Sequence, residues 1–216
     1  AMQNTDSGSY NIAIGSTALY AGENSSTENN IAIGYGAIGS ATGYLANNIA
    51  LGNDAMGSAG ADGGRVQNSI AIGFQALKNA EKGQYTGAGP ESNIAIGYQA
   101  LLDHVTGSFN IAIGRNCMTH LGDSSQNQND ENVAIGYNAL SSAENADGNV
   151  AIGPDVMQNA GQDGLNSVSA NVAIGQNTLQ YLQKGGTNVV IGDGAAQQYA
   201  TGSNNTILGR RAAYNS

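Results

Sequence analysis

The chain is poor in the residues that globular and disulfide-rich proteins use to build a core. It has one cysteine, two prolines and no tryptophan among 216 residues, and aromatic residues make up only 6%. A single cysteine excludes an intrachain disulfide. No apolar run is long enough to span a bilayer, so we expect no membrane insertion by this chain. Thirty-two glycines, without a sustained helical apolar period, favour a turn-rich β-structure.

Basic residues are scarce as well. Seven lysines and arginines stand against sixteen acidic residues, which gives a formal net charge of -9. Nucleic acids and anionic membranes are bound through basic surfaces. We therefore expect neither as a partner, and we expect the excess acids to keep a β-structure with exposed edges soluble.

A five-residue motif recurs along the whole chain: asparagine, a β-branched apolar residue, alanine, an apolar residue and glycine. Eleven copies occur, three of them variants that begin at Ser69, Asn188 and Asn205. A fixed internal period of this size is typical of a solenoid. The cores are 11–15, 30–34, 48–52, 69–73, 93–97, 110–114, 132–136, 149–153, 171–175, 188–192 and 205–209.

The spacing of the core glycines separates coil from insertion. Successive steps from Gly15 to Gly209 are 19, 18, 21, 24, 17, 22, 17, 22, 17 and 17 residues. We interpret 17 residues as one bare coil and any excess as a loop inserted at one corner. The sequence thus predicts a lead-in over 1–10 and a single solenoid domain over 11–216. No signal peptide is visible and Ala1-Met2 resembles a cloning remnant, so we expect a segment of a longer fibrous protein.

Alternation within each core predicts a short strand. In the copy at 93–97, Ile94 and Ile96 would point to the interior and Ala95 outward. A small apolar row facing outward would suit close packing against other copies, so the alanine row predicts a homotrimer. The asparagine that opens each core could form a ladder of amides, and the closing glycine would serve a corner with positive φ or no room for Cβ.

A second apolar pair follows each glycine, as in Ala100-Leu101, and predicts a second wall of the same coil. Cys117 takes the small position of this pair and is interpreted as a buried filler.

Candidate ligand contacts are few. Aromatic residues directly follow the core glycine at Tyr35, Phe74, Tyr98 and Tyr137. Such a row could stack on sugar rings, or it could close a seam between coils or chains. Tyr85 and Arg65, which lie in the spacers, complete the set of candidate contacts.

Motifs for chemistry are missing. Asp-Gly pairs lack the alternating acids and closing glutamate of a calcium loop, and the adjacent Asp130 and Glu131 do not form a spaced catalytic pair. His104 and His120 have no partners at metal-site or triad spacing. We therefore predict no catalytic residue, no metal site, no cofactor and no enzymatic activity.

The repeats resemble the head repeats of trimeric autotransporter adhesins of the YadA type. The longer form, with Tyr98-Gln99-Ala100-Leu101 after the glycine and Thr106-Gly107-Ser108 before the next core, is similar to repeats of phage tail fibres and bacterial surface fibres. The resemblance implies a left-handed parallel β-roll of about eleven coils assembled three together. It also implies an extracellular location, on a cell surface or a virion tail fibre, and attachment to a host-cell surface protein or glycan receptor.

Two other functions stay open. One is a tail-spike enzyme that depolymerises polysaccharide, which would need paired carboxylates in a groove. The other is an ice-binding solenoid, which would show a regular row of threonines on a flat face, whereas the outward position is expected to be alanine.

Overall fold

The computed structural model describes residues 7–20, 26–40, 42–60, 64–80, 91–103, 107–120, 129–161 and 167–214. Within these residues the protein is all-β, with eighteen short strands and no helix. The described part accordingly has no helix that could cross a membrane. All strand pairs are parallel, and the strands stack as a β-solenoid, which confirms the fold class predicted from the repeat.

Each repeat contributes one strand to a single eleven-stranded sheet, here called the main sheet. Equivalent residues pair without slippage, so that Ile70, Ile94 and Ile111 stand side by side on successive coils. The strands are β2 (Ile12–Ile14), β4 (Ile31–Ile33), β6 (Ile49–Leu51), β8 (Ile70–Ile72), β9 (Ile94–Ile96), β10 (Ile111–Ile113), β11 (Val133–Ile135), β13 (Val150–Ile152), β15 (Val172–Ile174), β17 (Val189–Ile191) and β18 (Thr206–Leu208).

Two smaller parallel sheets are formed by the segments just before the asparagine turns. The first contains β1 (Ser7–Ser9), β3 (Ser26–Glu28), β5 (Tyr44–Ala46) and β7 (Arg65–Gln67). The second contains β12 (Ala146–Asp147), β14 (Val168–Ser169) and β16 (Gly185–Gly186). Strand β1 lies within the segment expected as a lead-in, yet it already pairs with β3.

The phase of the main sheet is opposite to the prediction. Ala95 is fully buried, whereas Ile94 and Ile96 lie on the outer face and are partly exposed. The central alanine is buried in the same way on every main-sheet strand from β4 to β15. The expectation that Ala95 points outward and that Ile94 and Ile96 point to the interior is therefore wrong.

The second wall explains this inversion. Ala100 and Leu101 are fully buried, as predicted, and belong to the same core cluster as Ala95. In the first nine coils the large residue of the second wall fills the narrow interior, and the central sheet position is alanine, as a close-packed core requires. In the tenth coil the sizes are exchanged: the second wall has Ala196, and the buried central residue of the strand is Val190. Alternation along a strand defines two faces but does not determine which face is buried. Since alanine takes the inner face, the isoleucines lie on the outer one.

The core glycine has both properties that its position suggested. Gly97 has φ +139, a region that L side chains rarely adopt. A Cβ at this position would also overlap the carbonyl oxygen of Gly114 on the next coil. Glycine therefore allows successive coils to approach each other closely at this corner.

The opening asparagines form the predicted ladder. Asn132 Nδ2 donates to the Ala146 carbonyl at 2.6 Å and to Asn110 Oδ1 at 3.1 Å. Its Oδ1 accepts from the backbone N–H of Asn149 at 3.0 Å and from Asn149 Nδ2 at 3.1 Å. These buried amides join each coil to its neighbours and hold the turn before each strand to the small sheets.

Candidate functional site

The residues that directly follow the core glycines form a continuous exposed row, here called the corner column. Backbone hydrogen bonds hold successive coils in register beside this column. The N–H of Asn116, the residue after Arg115, donates to the Tyr98 carbonyl on the preceding coil at 2.9 Å. Along the rod the column runs Ser16, Tyr35, Asn53, Phe74, Tyr98, Arg115, Tyr137, Pro154, Gln176, Asp193 and Arg210. Four of the five aromatic residues predicted as ligand contacts, Tyr35, Phe74, Tyr98 and Tyr137, are therefore in one row.

The centre of the corner column is stacked along the rod axis. The rings of Phe74 and Tyr98 have centroids 5.2 Å apart and an interplanar angle of 15°. The guanidinium of Arg115 lies 5.4 Å from the Tyr98 centroid. Both faces of Tyr98 are thus covered by neighbouring coils, and stacks of this kind stabilise the coil seam. This geometry favours the seam function over sugar stacking at Tyr98.

The two outer aromatics have different surroundings. Tyr35 is 60% exposed, and its neighbours in the column are Ser16 and Asn53, which carry no ring. Tyr137 is 48% exposed and lies between Arg115 and Pro154. Of the four aromatic residues in the corner column, Tyr35 is therefore the most available to a ligand.

The other two candidate contacts are not in this row. Arg65 is exposed on β7, and its guanidinium lies 5.2 Å from the ring centroid of Tyr44 on the neighbouring strand β5. It belongs to the small four-stranded sheet, a different wall of the coil from the corner column. Tyr85 lies outside the described residues.

We compared the chain with protein-family models, curated proteins and solved structures. None of them matches it.

The longest spacer, 78–92, lies mostly outside the described residues. On one side of it Ala80 is buried in the core cluster, and on the other Glu91 forms a bridge to Gln67 of β7. Insertion of the excess residues at one corner stays a prediction.

Two of the titratable side chains singled out in the sequence form contacts between neighbouring coils. Asp130, one of the two adjacent acids, accepts a 2.6 Å hydrogen bond from the Ser108 backbone N–H, while Glu131 is exposed. His120 Nε2 lies 3.2 Å from Asp103 Oδ2 on the neighbouring coil. Among the described residues no group of three or more His, Cys, Asp or Glu side chains could hold a metal ion. His104 lies outside them.

Cys117 is a buried filler, as predicted. It is fully buried, and its Sγ lies 3.2 Å from the Ala134 carbonyl oxygen, to which it donates. Burial raises the pKa of the thiol to about 12. A protonated, inaccessible thiol is a poor nucleophile, so this side chain belongs to the packing of the coil.

One concave feature, beside Tyr35, was not predicted from the sequence. A hollow of about 330 Å³ opens where Gly36 replaces a side chain in the row that follows the corner column. The only signal in the sequence is a glycine at a position where most other repeats have Asn, Gln, Asp or Thr, although Gly194 and Arg211 also depart from that pattern.

Proposed function

We propose that this chain is a non-enzymatic segment of an extracellular fibre that assembles as a homotrimer and attaches to a surface protein or glycan of a host or another cell. The observation that carries the proposal is the outer face of the main sheet. It consists of two columns of side chains that are aliphatic at every position except Thr206, here called the outer stripe.

The outer stripe is unusually apolar for an exposed surface. Eleven strands with two outward positions each give twenty-two side chains, and all except Thr206 are Ile, Val or Leu. Eleven strands at about 4.8 Å spacing make the stripe roughly 50 Å long. With a width of about 10 Å its area is about 500 Å², near the upper limit of apolar patches on soluble monomers.

Such a stripe suits association with further copies of the chain. It runs along the whole main sheet, contains no charge, and places isoleucines in register, as at Ile96 and Ile113. Copies with parallel axes could cover one another's stripes over their full length. The number three and the location on a cell surface or virion come from the resemblance to trimeric adhesins and tail fibres.

Attachment would then use the surfaces that remain outside. In such an assembly the corner column and the corner with the inserted spacers would face solvent. Loops on a rigid repeat scaffold are a common place for binding residues, because their sequences can vary without loss of the coil.

The main sheet offers no support for the ice-binding alternative. Its outward positions are isoleucine, valine and leucine, not the alanine expected from the sequence, and this sheet has no regular row of threonines. Only Thr206 breaks the aliphatic columns.

The test is a binding screen of the purified chain on a glycan array and on cultured host-type cells. The screen is repeated with a variant that lacks seven residues of the spacer 78–92, which reduces the step from Gly73 to Gly97 from 24 residues to 17. We expect the parent to bind and the shortened variant to keep its β-structure while it loses binding through that loop. Absence of binding to every surface by the parent would contradict attachment, and hydrolysis of a capsular polysaccharide would favour the enzyme.

A further inference from the structure

The hollow beside Tyr35 combines an aromatic ring, a carboxylate and hydroxyl groups. Tyr35 and Tyr20 supply rings, Asp54 supplies the carboxylate, and Thr17 and Ser40 supply hydroxyls. Its volume of about 330 Å³ is at the lower end of the range of small-molecule sites, about 300 to 1,000 Å³.

The hollow exists because of Gly36. A Cβ built on Gly36 would lie 2.5 Å from Asp54 Oδ1, so the carboxylate oxygen reaches toward the space that a side chain would fill. Asp54 Oδ2 lies 3.9 Å from Lys78 Nζ on the next coil, on its other side. The carboxylate thus has one oxygen near a cation and the other directed toward the hollow.

A second pair of coils in the same chain provides a comparison. Tyr137 and Asp155 occupy positions equivalent to Tyr35 and Asp54, but the residue after Tyr137 is Asn138 instead of glycine. Asn138 Nδ2 donates a 3.0 Å hydrogen bond to Asp155 Oδ1. The same aromatic and acid are present there, with the carboxylate oxygen already bonded and the space occupied.

We propose that the hollow at Tyr35 and Asp54 binds one residue of a neutral saccharide. The apolar C–H face of a pyranose ring packs on the exposed ring of Tyr35, while two sugar hydroxyls donate to Asp54 Oδ1. The hydroxyls of Thr17 and Ser40 complete the polar side. Hydrogen bonds to a charged acceptor are among the stronger ones, and an aromatic ring provides the apolar contact that orients the sugar.

A neutral sugar fits this chemistry better than a cation does. Lys78 already lies near Asp54 and offsets part of its charge, which weakens attraction for an ammonium group. Thr17 Oγ1 donates its proton to the Ser16 carbonyl at 2.8 Å, so its free lone pairs can accept from a sugar hydroxyl. This assignment deepens the proposed attachment function and depends on it only for the biological purpose of the site.

The deciding variant is Gly36→Asn, which copies the arrangement at Asn138. Asn138 has φ +53 and Gly36 has φ +63, so asparagine fits the backbone without a large change. Its amide would bond Asp54 and fill the hollow. Asp54→Asn is the second variant, and Tyr137→Ala and Asp155→Asn are the matched controls. Circular dichroism and thermal unfolding establish that each variant is folded.

Binding is measured by NMR titration with methyl glycosides of glucose, galactose and mannose, and with choline as a cationic probe. We expect one of the glycosides to bind the parent with a dissociation constant on the order of 1 mM. Gly36→Asn and Asp54→Asn should weaken binding about tenfold or more, as expected when a hydrogen bond to a charged group is lost, while the controls change it less than about twofold.

Three results would overturn the assignment: no glycoside binding up to about 50 mM, equal effects of the controls and the deciding variants, or binding of choline without any sugar. The cell-binding screen separates this site from the general function. A parent chain that attaches to cells but binds no glycoside would refute the saccharide site and leave attachment standing. A parent chain that binds a glycoside but attaches to no surface would contradict attachment and leave the saccharide site standing.

Discussion

Exchanging a charge between the two faces of one strand tests the inverted phase of the main sheet. Ala112 is fully buried in the middle of β10, between Ala95 and Ala134 on the neighbouring coils. Its neighbour Ile113 is 36% exposed on the outer stripe. We compare Ala112→Asp with Ile113→Asp, which introduce the same charge one residue apart.

The expected costs differ in mechanism. Aspartate at 112 would place a carboxylate among alanines, without a partner, and an unpaired buried charge destabilises a fold by about 3–5 kcal/mol. Aspartate at 113 removes an aliphatic side chain that is about two thirds buried against its neighbours. Full burial of such a side chain contributes about 1.5–3 kcal/mol, so we expect a loss of about 1–2 kcal/mol.

Urea unfolding followed by circular dichroism measures both variants at one protein concentration. Ala112→Asp should lose most of its β-signal or unfold at a far lower urea concentration than the parent. Ile113→Asp should keep the parent spectrum with a smaller shift. If Ile113→Asp unfolds the chain while Ala112→Asp is tolerated, the assignment of the two faces is refuted.

Three other positions give sharp expectations. Gly97→Ala should destabilise the chain by several kcal/mol because its Cβ would overlap the next coil, whereas Gly148→Ala, at φ +62 with nothing within 4 Å of its Cβ, should cost about 1 kcal/mol; thermal unfolding compares them, and equal losses would contradict the close approach of coils at Gly97. Asn132→Ala should cost about 2–4 kcal/mol in urea unfolding, because it leaves the Asn149 N–H and the Ala146 carbonyl without their partner; an unchanged midpoint would contradict the ladder. For Cys117, burial raises the pKa of the thiol from 9.0 to about 12, so the thiol is protonated in both the folded and the unfolded chain below pH 9, and from pH 9 to 12 only the unfolded chain ionises it. The free energy of unfolding should therefore fall over that window by up to about 4 kcal/mol, and Cys117→Ala should remove this part of the loss. The same pH dependence of stability in the parent and in Cys117→Ala would be evidence against this effect.

The period of the repeat predicted most of the fold. Alternation in Ile94-Ala95-Ile96, the glycine that closes each core and the 17-residue step led to parallel strands, close coil contacts and a second wall. These features depend on local chemistry that recurs eleven times, so the pattern is strong even when each strand has only three residues.

The direction of the strand faces could not be obtained from alternation. The sequence interpretation placed Ile94, Ile96 and Leu101 together inside one coil, following the usual burial of large aliphatic residues. Three large side chains overfill an interior that is close-packed with Leu101 opposite Ala95. The trimer was thus predicted from the wrong row: the surface that could bury further copies consists of isoleucine, not alanine.

The candidate site was predicted only in part. The aromatic row followed from its fixed position after the core glycine, but the stacking of Phe74 on Tyr98 depends on which coils are neighbours. The hollow beside Tyr35 depends on an absence, the missing side chain of Gly36, and on the direction of the Asp54 carboxylate. Neither is visible in a motif.

The mass of the particle in solution shows whether copies of the chain associate through the outer stripe. Light scattering after size-exclusion chromatography would be run over a dilution series on the parent and on Ile113→Asp. Three copies of a 21.8 kDa chain predict a mass of about 65 kDa for the parent. We expect a lower mass for Ile113→Asp, since a charge in the stripe opposes its burial. A parent mass of 21.8 kDa at every concentration would contradict self-association through the outer stripe.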